Sequence, residues 1–179
     1  MIKKRLSAHP EIKNDVTPLY ISAFPVNERP PVINFYRSLM EHEENELYAY
    51  YEENRFIGFT YITAYKDIVY IFFLAVQKEE RRKGFGTLIL QDIKNTYPTE
   101  VLLVCYEEVD PSYIDYEERL RREKFYERNG FKRNIFKSKE YGVVFQSAYI
   151  GSRPVTFEEY RKVFELGFGT FSLRFLKEA

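Results

Sequence analysis

The sequence predicts an α+β fold, a central mixed but mostly antiparallel twisted sheet with helices on both faces. Three observations carry this. β-Branched and aromatic residues fill short runs at residues 47–52, 56–65 and 69–76, close enough in the chain for an antiparallel meander. The apolar spacing then changes, with Phe85, Leu88, Ile89 and Ile93 at i, i+3, i+4 and i+8, the period of a helix. A further apolar run at residues 100–106 follows, and strand, helix and strand in that order imply a right-handed crossover and one locally parallel pair.

Taken in order, Thr17-Pro18 reads as a helix start, a hydroxyl at N-cap with proline behind it. That helix should stop at Phe24, because the residue before Pro25 is pushed out of the α region. A second helix follows Pro30-Pro31, with Val32, Phe35, Tyr36 and Leu39 on one face, and the acidic run 41–46 reads as a solvated connection. Residues 47–52 and 56–65 form a hairpin about Glu53-Asn54-Arg55, and a turn at Lys66-Asp67 leads into residues 69–76. After the helix over residues 84–95, Tyr97-Pro98 breaks the chain before the strand at 100–106.

Residues 107–115 read as a loop. From Tyr116 a helix with Glu117–Arg121 and Glu118–Arg122 pairs runs to Asn129-Gly130, where glycine suits the left-handed C′ position. A last hairpin spans 131–137 and 141–150. Residues 1–151 are thus expected to form one domain, with 152–179 a C-terminal helical appendage packed on it. Its helix carries a capping box at Thr156 and Glu159 and should close at Gly167, and the tail beyond has no readable conformation.

Composition narrows the function. A chain of 179 residues, 45% hydrophobic, holds one core and is short for two. With 27 basic and 27 acidic residues, no net field draws it to nucleic acid or to an anionic membrane, and no apolar run is long enough to span a bilayer. The single cysteine, Cys105, rules out an internal disulfide and fits a reducing cytoplasm. It lies in a strand-like run and reads as a buried structural thiol. His9 and His42 have no metal-ligand spacing, so no metal is expected. The N-terminal Lys3-Lys4-Arg5 has the charge of a signal peptide without its apolar stretch. The 16 Tyr and 16 Phe, beside no Trp, should be mostly strand and core packing.

The chemistry concentrates at residues 69–93. A buried strand ends in Leu74-Ala75-Val76, a charged loop follows, and Gly84 and Gly86 open a helix. Unpaired N–H groups at that helix start, its dipole and the positive charge around it suit a phosphate, and glycines allow close backbone approach. The alternative is a strand-to-helix turn whose glycines only relieve sterics. A Walker loop is excluded because Thr87-Leu88 follows Gly86, and a dinucleotide fingerprint because Ile89 stands where its third small residue belongs.

What remains, R-x-x-G-x-G on Arg81, Gly84 and Gly86, resembles the coenzyme A loop of the GNAT acyltransferase superfamily. Residues 124–131 are similar to its F-Y-x-x-x-G-F signature, and residues 24–31 to its common first-helix ending; the resemblance covers residues 17–150. It implies a parallel strand pair that splays, with pantetheine along Leu74 and Val76 and pyrophosphate on the loop of Arg81, Arg82, Lys83, Gly84, Phe85, Gly86 and Thr87. It implies Tyr126 as the acid that protonates a departing thiolate, and acetyl-CoA as acyl donor for direct N-acetyl transfer to an amine, without a metal. Arg119 and Arg122 depart from the Asn and Ala common in relatives at these helix positions. The base is open: the strand at 69–76 has no acid, and the candidates near the substrate are Glu28, Glu107 and Glu108, or a water chain in place of a carboxylate. The neutral charge favours a small-molecule amine as acceptor, and the reading allows a homodimer. The competing reading is a non-catalytic acyl-CoA-binding or sensing module with the same fold.

Overall fold

The computed structural model describes residues 1–98 and 101–179. Its elements are β1 (Ile2–Arg5), α1 (Lys13–Ala23), α2 (Val32–Glu41), β2 (Asn45–Glu52), β3 (Arg55–Tyr65), β4 (Ile68–Val76), α3 (Phe85–Thr96), β5 (Val101–Glu107), α4 (Tyr116–Arg128), β6 (Lys132–Glu140), β7 (Val143–Gly151), α5 (Phe157–Phe168) and β8 (Leu176–Glu178). Among the described residues the strands form one sheet in the order β1-β2-β3-β4-β5-β7-β6-β8. Every neighbouring pair is antiparallel except β4 and β5. Glu100, where the sequence places the start of β5, lies outside the described residues.

One irregularity shapes the rest. The register of β3 on β4 runs Tyr61↔Phe73 and then Ile62↔Ile71, so Phe72 is an extra residue in β4, a β-bulge. The parallel pairing of β4 with β5 runs from Ile68↔Val101 to Ile71↔Val104 and stops at the same place. Beyond it β4 stays on β3 as far as Gly58↔Val76, and β5 stays on β7 as far as Glu107↔Phe145. The two strands therefore part while each keeps its outer neighbour.

The aromatic residues pack both faces. On one face, Ile89, Leu90 and Ile93 of α3 and Tyr126 of α4 cover Val69, Ile71, Leu102 and Val104. On the other, α1 and α2 bury Tyr20 and Phe35 against Phe59, Tyr61 and Phe73, with the Tyr20 and Phe35 rings stacked 4.3 Å apart. Beside them α5 sets Tyr160, Val163 and Phe164 on Tyr70, Val101 and Leu103.

Several ends differ from the sequence reading. Helix α1 begins at Lys13 and holds Pro18 inside it. Ile12, Val16, Leu19 and Tyr20, spaced i, i+4, i+7 and i+8, are almost wholly buried, and that apolar stripe outweighs the one hydrogen bond Pro18 cannot donate. The Thr156–Glu159 capping box forms, but α5 runs through Gly167 and is capped by Gly169 at φ +80°. Gly167 instead meets Phe72 so closely that a β-carbon there would overlap the ring, and its carbonyl accepts from Tyr61 Oη (2.7 Å) and Ser38 Oγ. Asn45, read as part of a solvated connection, is buried, bonded to Ser38, Thr63 and Leu166. The termini form strands too: β1 pairs with β2, and after a 3₁₀ turn at Thr170–Phe175, β8 pairs with β6.

Gly58 holds β3 against β4 where β4 loses its other neighbour. A β-carbon at Gly58 would collide with the Ala75 carbonyl, which is backbone and has no rotamer with which to yield. Gly58→Ala is expected to destabilise by about 1–3 kcal/mol, as overpacking does. Thermal unfolding should show a drop of roughly 3–10 °C for a chain of this size; an unchanged melting temperature would contradict the close approach.

Candidate active site

Where β4 and β5 diverge there is a cleft of about 880 Å³. Its lining draws on Leu74, Val76, Phe85 and Tyr126 from one face of the sheet, and on Phe24, Tyr70, Phe72 and Phe168 from the other. The cleft thus passes through the sheet. At one end stands the start of α3. Its first helical hydrogen bond runs from Leu88 N to Gly84 O (3.1 Å), so the amides of Phe85, Gly86 and Thr87 have no acceptor within the helix.

The loop before α3 takes left-handed conformations at Arg82 (φ +66°) and Gly84 (φ +87°). Changes of hand of this kind turn successive N–H groups to one side and make a concave anion seat. Gly84 at that φ has open space where a side chain would be, and Gly86 has the Phe125 ring 3.0 Å from the place of a β-carbon.

Of the residues expected around a coenzyme, Leu74, Val76, Arg81, Arg82, Gly84, Phe85, Gly86 and Thr87 all line the cleft. Lys83 does not; its ammonium reaches the buried Glu80 (3.1 Å), which also holds Arg55 (3.2 Å). That acidic anchor, four residues before Gly84, removes Lys83 from the cleft, and alternating charge in a loop gives no sign of it. Arg81 Nε donates to Val76 O (3.1 Å), which ties the loop to the end of β4.

Tyr126 sits on α4 with its ring stacked on Tyr106, 5.5 Å between centroids and 15° between planes. Burial pushes its phenol up to about 12, with the nearby Arg122 guanidinium pulling the other way. Arg122 lines the cleft beside it and forms an ion pair with Glu107, which is 5% exposed. Arg119, the other departure on this helix, turns away: it binds Asp115 Oδ1 (2.8 Å) and Glu108 O (3.1 Å) and lies over the Tyr113 ring (4.0 Å).

The three acids proposed from sequence separate. Glu28 lines the cleft, and burial raises its carboxyl pKa against the opposing pull of Arg122 and Arg119. Glu107 lines it but is engaged by Arg122. Glu108 is outside, paired with Lys137 (2.6 Å). Sequence reasoning missed a fourth, Glu140 at the end of β6, which lines the cleft and whose pKa burial raises. No motif surrounds it; only the antiparallel return of β6 beyond β7 brings it there. Cys105 also lines the cleft, its thiol pushed up by burial. Among the described residues no cluster of His, Cys, Asp and Glu could hold a metal ion, and no helix is long and apolar enough to cross a membrane.

Comparison with known proteins identifies the family and the fold. Residues 43–133 match the acetyltransferase (GNAT) domain family. No curated protein matches the chain. Among solved structures, a GNAT-family protein from Bacteroides thetaiotaomicron is similar with a TM-score of 0.77 at 15% identity, covering 95% of this chain and 99% of that one. An aminoglycoside 6′-N-acetyltransferase complexed with coenzyme A gives 0.65 at 16%, covering 87% and 100%. A GNAT-family acetyltransferase from Elizabethkingia anophelis with acetyl-CoA bound gives 0.62 at 15%, covering 84% and 97%. Identities this low speak for the fold alone.

The Arg122–Glu107 pair has a measurable consequence. Arg122→Met would leave the Glu107 carboxylate buried without its cation. Complete burial of such an orphan costs about 3–5 kcal/mol, and because Arg122 is a third exposed the loss should be nearer 2 kcal/mol. Urea unfolding should show it as a lower midpoint at unchanged slope, and Arg122→Met/Glu107→Gln should recover most of it; no recovery would mean that the pair is not what holds Glu107.

Proposed function

Because the chain belongs to the GNAT acetyltransferase family, we propose that it is an acetyl-CoA-dependent N-acetyltransferase acting on a small-molecule amine by direct transfer. The observation that carries this reading is the cleft through the sheet, with the unbonded amides of α3 at one end and Tyr126 inside. Such a cleft accepts a phosphate-bearing donor from the α3 face and an amine from the face of α1, α2 and α5. Acetyl-CoA would supply an acetyl thioester, whose carbonyl carbon the amine nitrogen attacks as the C–S bond breaks.

The chain's own residues divide the remaining work. The amides from Phe85 to Thr87, the left-handed loop and Arg82 would hold pyrophosphate, and the unpaired edge of β4 from Phe72 to Val76 would hydrogen-bond pantetheine. Glu28 would accept a proton from the amine, because burial makes its carboxylate more basic. Tyr126, near 12, is well above a thiol near 8.5, so complete proton transfer to a thiolate is uphill by about 5 kcal/mol. Its role is therefore that of a hydrogen-bond donor to the charge growing on sulfur, with Arg122 adding positive charge beside it.

Two outcomes test this. Acetyl-CoA should raise the melting temperature by mass action, and Gly86→Val should remove that rise by driving a branched side chain into Phe125 and the loop. A variant with the wild-type rise would move the coenzyme elsewhere. Secondly, Tyr126→Phe should lower kcat roughly 10²-fold or more, the usual effect of losing one such donor, with acetyl-CoA affinity unchanged. Since only the protonated phenol donates, activity is retained below its pKa and lost as pH rises through it. The wild-type rate should therefore stay level from pH 8 to 10 and not fall where an ordinary tyrosine ionises. Tight acetyl-CoA binding with no amine-dependent thiol release would instead favour the sensing module.

A further inference from the structure

Glu140 ends β6 inside the cleft, on the face of the sheet that α5 covers. Its carboxylate accepts from Tyr160 Oη (2.5 Å) and Ser138 Oγ (2.6 Å). Tyr70, whose hydroxyl lies 3.3 Å from that of Tyr160, and the Cys105 thiol are its other polar neighbours. All four are neutral. The other cleft carboxylates face cations: Glu80 binds Arg55 and Lys83, Glu107 and Glu118 bind Arg122, and Glu28 lies in the field of Arg122 and Arg119. Among the described residues Glu140 has no cation paired with it, and its burial accordingly disfavours the charged form.

A half-buried carboxylate without a counter-ion carries part of a desolvation cost that a ligand's ammonium can remove. The cleft it lines is rich in aromatic rings on this face. Phe24, Phe72, Phe145 and Phe168 are half-buried and border the cleft, and the Phe72 and Phe168 rings meet at 4.3 Å. Ring faces attract apolar bodies and can take a cation, but they supply no full counter-charge and give hydroxyls no hydrogen-bond partner. Cys105, Glu140 and Tyr126 line the same cleft, so a group anchored at Glu140 shares it with the proposed donor.

We propose that the acceptor is a primary amine bearing one positive charge on an apolar, ring-containing body, its ammonium anchored by Glu140 and its ring against Phe72 and Phe168, and that the anchored nitrogen passes a proton to Glu28 before it attacks. This rests on the acetyltransfer reading above and names the acceptor class within it. A polyamine or aminoglycoside would bring several charges to a wall on which Glu140 is the carboxylate without a cation, and an amino acid would set its own carboxylate beside Glu140.

The test uses the whole chain with acetyl-CoA, thiol release as readout, and 2-phenylethylamine, n-butylamine, spermidine and kanamycin as probes. Phenylethylamine should exceed spermidine and kanamycin in kcat/KM by at least tenfold. Glu140→Gln, which keeps shape and acceptor oxygen, should lower kcat/KM for phenylethylamine more than tenfold, chiefly through KM, with acetyl-CoA affinity unchanged. Phe168→Leu, which keeps an apolar wall without a ring, should narrow the preference for phenylethylamine over n-butylamine. Preference for the polycations, or a Glu140→Gln variant with wild-type KM, overturns the proposal. If no amine is acetylated, the acetyltransfer reading falls by itself, and the anchor is read from melting temperature: a rise with phenylethylamine that Glu140→Gln abolishes supports it, and no rise in the wild type overturns it.

Discussion

A strand that gains a residue against one neighbour changes register and bends there, and β4 gains one at Phe72. From that residue on, the strand's hydrogen-bonding geometry follows β3 alone, while β5 follows β7. The gap is held open by what the bulge does with the Phe72 side chain. Its ring turns to the α5 face, meets Tyr70 at 4.3 Å and Phe168 at 4.3 Å, and rests on Gly167, where any larger residue would displace it. Gly167 is fixed in turn by Tyr61 and Ser38 on its carbonyl. The backbone irregularity and the helix packing above it therefore depend on each other. A flat β4 would have closed on β5 and left neither cleft nor second entrance.

Within the cleft, charge is handled in two ways. Toward the outer end, acids and bases neutralise one another: Glu107 with Arg122, Glu80 with Arg55 and Lys83. Such pairs position side chains more than they stabilise, since each carboxylate loses water to gain its partner. At Glu140, hydroxyls replace cations. Glu140 keeps its hydrogen bonds yet stays without compensation for its charge, and Tyr126 is held protonated by apolar surroundings. Chemistry that moves a proton and a negative charge past these groups meets an interior that does not rearrange to follow it.

The parts of this structure that follow local rules were legible from the residues. The glycine pair, the period change at Phe85, the capping box at Thr156 and the Glu53-Asn54 turn, where both residues have positive φ, are decided within a few residues of chain. What escaped is decided across the sheet. Pro18 outweighed the Ile12–Val16–Leu19–Tyr20 stripe in the sequence reading because the burial that favours the stripe comes from strands thirty and more residues away. β1, with its Lys3-Lys4-Arg5, has no alternation to betray it and exists because β2 offers an edge. Lys83 looked like a phosphate ligand until Glu80 folded beneath it, and Glu140 entered the site through strand order alone. The loop at one end of the cleft was thus readable, and the wall proposed to take the acceptor was not.

That wall is assembled from parts of the chain remote from the loop: Phe24 after α1, Glu140 and Phe145 from the β6–β7 hairpin, and Phe168 from α5. The donor end comes from one contiguous stretch, β4 through the first turn of α3. Of the first set, Phe24 and Phe168 also pack on Phe73 and Phe72 of β4, whereas Glu140 and Phe145 lie on a separate hairpin. On the proposed division of the cleft, ligand preference can therefore drift at Glu140 and Phe145 without each step having to preserve the donor seat anew. A lineage built on this arrangement can trade acceptors residue by residue, and near relatives with identical loops need share no substrate.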